Sequence, residues 1–251
     1  MKVHIGVKSD PIESRYSFDW LFDLLRAHGV EQVQLGASLT AFLADDEYFR
    51  GLRRRAEKRG VRISSVFSAI REFGGFASGD PLLQAATRRM WARLIEVAAL
   101  VGAEAAGTNA SLTFRDKPEL REEGIGNFFA CARELMGRAR AAGLEAVITE
   151  PMSCTWEFPS TPEELDRFAA ELDPYHAAHR DTTVPFLFCG DISHGVADAG
   201  RRVLYDNWSL FEREIPWMWE FHFKNTDAIF NSTFGFSEEE RGRGIVDLAR
   251  L

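Results

Sequence analysis

The sequence predicts an α/β protein of the (β/α)8 barrel class, with seven strands evident, and three observations predict it. Short apolar, β-branched or aromatic runs alternate with longer amphipathic segments from one end of the chain to the other, the rhythm of βα units around a parallel sheet. Seven such units in succession favour a closed barrel over an open doubly wound sheet, and the first strand-to-helix turn carries no GxGxxG fingerprint. The chain has 251 residues, of which 45% are hydrophobic, enough to bury one core of this kind as a single domain over 1–251.

The strands are expected at 2–8 (KVHIGVK), 31–36 (EQVQLG), 61–67 (VRISSVF), 104–109 (EAAGTN), 145–150 (EAVITE), 185–191 (PFLFCGD) and 218–224 (MWEFHFK). Helices fall between them, near 17–28, 46–59, 81–101, 118–142, 161–172 and 207–215. In the first, Phe18, Leu21, Phe22 and Leu25 recur on one face. Ser160-Thr161-Pro162-Glu163-Glu164 places a hydroxyl cap, a proline and two acids at a helix start, while Gly29, Gly60 and Gly143 follow helix ends. The loop 69–80 is long and rich in glycine and aromatics, and reads either as a lid or as a long connection. Residues 225–251 read as a loop and the start of a helix at 245–251, which leaves no eighth βα unit. The barrel is thus expected to lack its last unit, with the edges of strands one and seven unpaired and apolar surface exposed.

Composition narrows the function. A formal charge of −8 argues against a nucleic-acid partner, and the basic run Arg53-Arg54-Arg55 with Lys58 and Arg59 reads as the solvated face of a helix. No run approaches the length of a membrane span, and the N-terminus lacks the apolar core of a secretion signal, so the expected location is cytoplasmic. Cys131, Cys154 and Cys189 have no metal-finger spacing; Cys131 and Cys189 read as small buried hydrophobes.

In a β/α barrel the working side chains project from the C-terminal ends of the strands. Strand five ends in Glu150, strand six in Asp191 followed by His194, and strand seven contains His222 and Lys224. Equivalent positions on neighbouring strands converge on one mouth. Two carboxylates and an imidazole there form a mixed O/O/N set suited to Mn²⁺, Mg²⁺, Co²⁺ or Zn²⁺. Asn109 ends strand four and Lys8 ends strand one, at the same mouth. Glu157 follows in the next loop, either to hold a substrate hydroxyl or simply to be solvated. Lys224, Asn225, Asn231, Ser232 and Thr233 offer donors for a phosphate or for hydroxyls, or else make turns. Trp156, Phe73 and Phe76 are candidates for an apolar wall or for buried packing.

These motifs resemble the xylose-isomerase-like TIM barrel superfamily, in particular its sugar phosphate isomerase/epimerase branch, which includes ketose 3-epimerases. The residues that carry the resemblance are Glu150 in ITEPMS, the Asp191-x-x-His194 pair, His222 in FHFKNTD, and FGFSEEERGRGIVD. The resemblance implies that Glu150 is both metal ligand and acid/base group, and that Asp191 and His222 are ligands. It implies that His194 reaches substrate oxygens, although bracing a carboxylate is its other reading. It also implies a second glutamate on an eighth strand, and a divalent metal, Mn²⁺ first, as cofactor. The implied reaction is isomerisation or epimerisation of a small ketose or ketose phosphate through a metal-stabilised enediolate, in an enzyme of carbohydrate metabolism that often forms homo-oligomers. Two alternatives stay open: a metal-dependent cyclitol dehydratase or other enzyme on this barrel, and a non-catalytic metal-binding or partner-completed barrel. A phosphodiesterase acting at abasic DNA sites is disfavoured by only six histidines and the acidic total.

Overall fold

A computed structural model describes residues 3–69 and 74–251. Seven barrel strands are present: β1 (Gly6–Lys8), β2 (Gln32–Leu35), β3 (Arg62–Ser68), β4 (Ala105–Thr108), β5 (Ala146–Thr149), β6 (Phe186–Asp191) and β7 (Met218–His222). Each pairs in parallel with its neighbours in sequence order, so every connection is a βα crossover. The sheet is curled, because side chains of β2 and β3 reach β7: Gln34 Nε2 and Ser65 Oγ donate to the two carboxyl oxygens of Glu220. Among the described residues the outer edges of β1 and β7 have no strand partner. Apolar surface is exposed beside them, as at Val3 (68%), Ile5 (80%) and Phe223 (52%).

The strand alternation divides the interior into two layers. Val33, Leu35, Val66, Ala106, Val147, Phe186 and Phe188 join the large core between sheet and helices. The intervening residues Phe67, Ala105, Ala146, Ile148 and Cys189 form a smaller inner cluster. In the outer layer Phe128 lies amid Phe76, Trp91, Phe129, Phe158 and Phe186, with ring centroids 5.5 to 6.4 Å apart. Gly107 of β4 is a close-approach position, since an added Cβ would collide with the Ile148 carbonyl.

The main helices are Phe18–Ala27, Asp46–Glu57, Pro81–Val101, Arg121–Ala141, Pro162–Ala178 and Asn207–Glu214. Ser17, Asp45, Asp80, Thr161 and Asp206 each cap one by accepting a backbone N–H. Three differences from the sequence reading have physical causes. The helix begun at Pro162 runs to Ala178, through Pro174, because Tyr175 still packs on the core. In 245–251 there is no helix: Ile245 N and Val246 N donate to Thr226 O and the Asn225 side chain, which ties the start of the stretch to the β7 loop, and 248–250 make only a turn. The terminal helix is Glu238–Arg243, begun by a capping box of Ser237 and Glu240. Strand one is also shorter than 2–8. Phe76, a candidate wall residue, is core, whereas Phe73 and part of the 69–80 loop lie outside the described residues.

Candidate metal centre

Parity along the strands sets the direction of the site residues. Ala146 and Ile148 belong to the inner layer, so Glu150, two residues on, continues that face; Leu187 and Cys189 do the same for Asp191. His222 pairs in register with Asp191 across β6 and β7. One ligand atom from each of Glu150, Asp191 and His222 lies within 4.8 Å of the others. His222 Nδ1 is 2.8 Å from Glu150 Oε1 and 3.8 Å from Asp191 Oδ2.

The electrostatics suit a cation. Burial pushes the Glu150 carboxyl up, but the His222 charge and hydrogen bond, with His194 and Lys8, outweigh it and hold the group well below the usual carboxylate range. Asp191 is 1% exposed; Ser193 donates to its Oδ1 through backbone N and Oγ at 2.9 and 2.7 Å. Its Oδ2 is buried without a hydrogen bond, yet the Lys224 ammonium sits 2.7 Å away as an ion partner. A positive charge is thus held at the oxygen that a metal ion would take. Two hard oxygen donors and one imidazole nitrogen, converging at this spacing, fit a divalent ion such as Mn²⁺ or Mg²⁺.

His194 packs between strand ends. Its Nδ1 donates to Pro151 O at 2.7 Å, since a carbonyl can only accept, so Nε2 faces Asp191 Oδ2 at 3.4 Å and Lys224 Nζ at 3.5 Å. Asn109 is buried at the end of β4, with Nδ2 on Met152 Sδ at 2.9 Å and Oδ1 without a partner. Glu157 is buried in a two-stranded ribbon, Glu157–Phe158 against Ser111–Leu112, rather than in solvent. Beyond Lys224, the loop after β7 is tied chiefly to itself. Asn231 N and Ser232 Oγ both donate to Asp227, Thr226 Oγ1 donates to Ser232 O, and Thr233 is exposed.

Several contributors escaped the sequence reading. Gln34, Ser65 and Glu220 form a polar chain under His222, and burial holds the Glu220 carboxyl above its usual range despite the two donors. Glu220 sits two residues before His222 on one strand, and that i, i+2 polar pair in MWEFH was the available signal. Glu214, 1% exposed behind β6, has an Oε2 without a hydrogen bond; burial, then the charges of Asp191 and Glu150, push its carboxyl well above the usual range. No helix among the described residues is long and apolar enough to cross a membrane.

The fold has recognisable relatives. A candidate xylose isomerase from Rhodospirillum rubrum superposes with a TM-score of 0.74 at 22% identity, over 91% of this chain and 79% of that one. A D-psicose 3-epimerase from Clostridium cellulolyticum, solved with D-tagatose, gives 0.62 at 16% identity, over 76% of this chain and 64% of that one. A probable 3-DHS dehydratase from Bacillus anthracis gives 0.64 at 13% identity, over 90% and 74%. Identities this low show the fold alone, and no curated protein matches the sequence. The model of the xylose isomerase-like TIM barrel family matches residues 22–251, nearly the whole chain and every site residue from Gln34 to Lys224, and the protein belongs to that family.

Proposed function

We propose that the protein is a divalent-metal-dependent isomerase or epimerase of a small ketose or ketose phosphate. The observation that carries this reading is the convergence of Glu150, Asp191 and His222, two carboxylates and an imidazole within 4.8 Å at the C-terminal mouth of the sheet. These three residues would hold the ion, with Mn²⁺ expected first and Mg²⁺, Co²⁺ or Zn²⁺ as substitutes. A bound ion would polarise a sugar carbonyl and stabilise the negative charge that develops when the neighbouring C–H is deprotonated.

The protein side chains do the rest. Glu150 is held ionised, which equips it to take a proton from the carbon beside the carbonyl. His194, fixed by Pro151 O, and Lys224 both lie against Asp191 and are placed to donate to or orient sugar oxygens. Asn109 and Glu157 are assigned to substrate hydroxyls, and Asn231, Ser232 and Thr233 to a terminal phosphate or hydroxyl that the loop after β7 would have to reach. We read the chain as a single-domain cytoplasmic enzyme that acts as a homo-oligomer.

The test is metal-dependent exchange of the substrate α-proton with solvent deuterium. Tetruloses, pentuloses and hexuloses, free and phosphorylated, are incubated with Mn²⁺, Co²⁺ or Mg²⁺ and followed by NMR. Exchange and interconversion with at least one ketose, abolished by EDTA, is the expected result. Exchange that persists with EDTA, or none with any sugar and any metal, contradicts the proposal.

A further inference from the structure

His222 has two ring nitrogens with different surroundings, and a metal ligand must offer a lone pair on the nitrogen that faces the ion. Its Nδ1 lies 2.8 Å from Glu150 Oε1 and donates to it in the metal-free protein, since a carboxylate only accepts, and a bound ion would take the place of that proton. Its Nε2 points the other way and lies 2.8 Å from Gln34 Oε1, with Lys8 Nζ and Cys189 Sγ farther off at 3.5 Å each. The amide oxygen is the nearest group by a wide margin, and an oxygen acceptor calls for an N–H on Nε2.

Which end of the Gln34 amide meets the ring is itself determined. Gln34 Nε2 donates to Glu220 Oε1 at 2.7 Å, and Ser65 Oγ donates to the other oxygen of the same carboxyl at 2.8 Å. With its nitrogen committed to Glu220, Gln34 presents only its oxygen to the imidazole. Three strands thereby contribute to one decision: β2 supplies the amide, β3 the hydroxyl and β7 both the carboxyl and the ring. Val33 and Leu35 pack outward into the helix-facing core, which fixes Gln34 toward the interior.

We propose that Gln34 is a positioning residue which, oriented by Glu220 and Ser65, holds the proton of His222 on Nε2 and so keeps Nδ1 turned to the metal centre as a ligand. Partners of this kind, on the far nitrogen of a ligating histidine, set ring orientation and basicity, and their loss typically weakens metal binding about 10- to 100-fold. The proposal rests on the metal-centre reading for its consequence in affinity, but its statement about the Nε2 proton holds in the metal-free protein.

Long-range ¹H–¹⁵N NMR of the histidine side chains, in EDTA-treated and then Mg²⁺-loaded protein, tests it without any enzymatic assay. In the EDTA-treated protein the His222 spectrum is expected to show a proton on Nε2, and Gln34→Met is expected to shift the ring to the form protonated on Nδ1 alone, toward Glu150; in the loaded protein, where Nδ1 is ligated, both carry the proton on Nε2. In parallel, Mn²⁺ titration followed by electron paramagnetic resonance should show binding weakened about 10- to 100-fold in Gln34→Met. The swapped pair Gln34→Glu with Glu220→Gln keeps an oxygen toward the ring and keeps the hydrogen bond between the two side chains with its direction reversed, so it should restore both the signature and most of the affinity. An unprotonated Nε2 in the unaltered protein overturns the proposal, whatever the metal titration shows. So does a folded Gln34→Met that keeps both the Nε2 signature and the affinity. If Nε2 is protonated and the swap restores it, while no variant or parent binds Mn²⁺, the positioning stands and the metal-centre reading fails.

Discussion

The two layers of the interior differ in what they are made of. The outer layer, between sheet and helices, is continuous aliphatic and aromatic packing centred on Phe128, Trp91 and Phe186. The inner layer is small, with Phe67, Ala105, Ala146, Ile148 and Cys189, and beside them it spends buried space on Gln34, Ser65 and Glu220. Burying polar groups costs free energy unless each is hydrogen-bonded, so the inner layer is a poor place from which to draw stability. It is a good place from which to fix orientation, because hydrogen bonds, unlike apolar contacts, have direction. Outer-layer changes should therefore lower stability and leave the site's chemistry intact in whatever remains folded; inner-layer and mouth changes should do the reverse.

The largest expected effect lies at the mouth. Glu150→Gln should lower metal-dependent α-proton exchange by at least 10²- to 10⁴-fold while the circular dichroism spectrum stays that of the parent. Undiminished exchange would remove Glu150 from its role. In the outer layer, Phe128→Ala should cost about 3–5 kcal/mol in urea unfolding, with Mn²⁺ affinity per folded molecule unchanged. Coupled loss of affinity would show that the layers are not separable.

Glu214 sharpens the boundary between them. Its raised carboxyl keeps a proton in the folded state that it gives up on unfolding, so its contribution is full below the ordinary carboxylate range and is lost as pH rises toward the folded-state value. Thermal melts in EDTA should show Glu214→Gln gaining roughly 1–3 kcal/mol over the parent at pH 8, and much less at pH 4. An equal difference at both pH values would mean that the carboxyl is not strained. The smallest effect is peripheral. Ser237→Ala removes the cap of the helix Glu238–Arg243 and should cost about 1 kcal/mol locally, read as faster amide exchange there with metal affinity untouched.

The three residues of the cluster were legible because a barrel places strand-end residues at one mouth, and Glu150, Asp191 and His222 each end or nearly end an apolar run. Their convergence needed only the strand order. Gln34 and Ser65 were not legible, because in EQVQLG and VRISSVF each is one of several polar residues in its strand, and their facing partners lie more than 150 positions away. Strand alternation says that they point inward, and only the curl of the sheet says that they meet Glu220. The tail misled for a related reason: the helical pattern of 245–251 spans only seven residues, its start is tied to Asn225 and Thr226 of a distant loop, and no more than a turn forms at 248–250. Glu157 read as a loop acid and is instead buried in a short ribbon, a pairing too brief to leave a periodic signal.

The most direct test of the metal centre is Mn²⁺ binding to the parent and to Asp191→Asn, followed by electron paramagnetic resonance after EDTA treatment. Asparagine preserves the size of the side chain and an oxygen for Ser193, but withdraws the charge from the oxygen that Lys224 now accompanies. One equivalent bound by the parent, weakened at least 10-fold in Asp191→Asn with the fold intact, is the predicted result. Equal binding by both proteins, or none by the parent, would contradict a metal centre built from Glu150, Asp191 and His222.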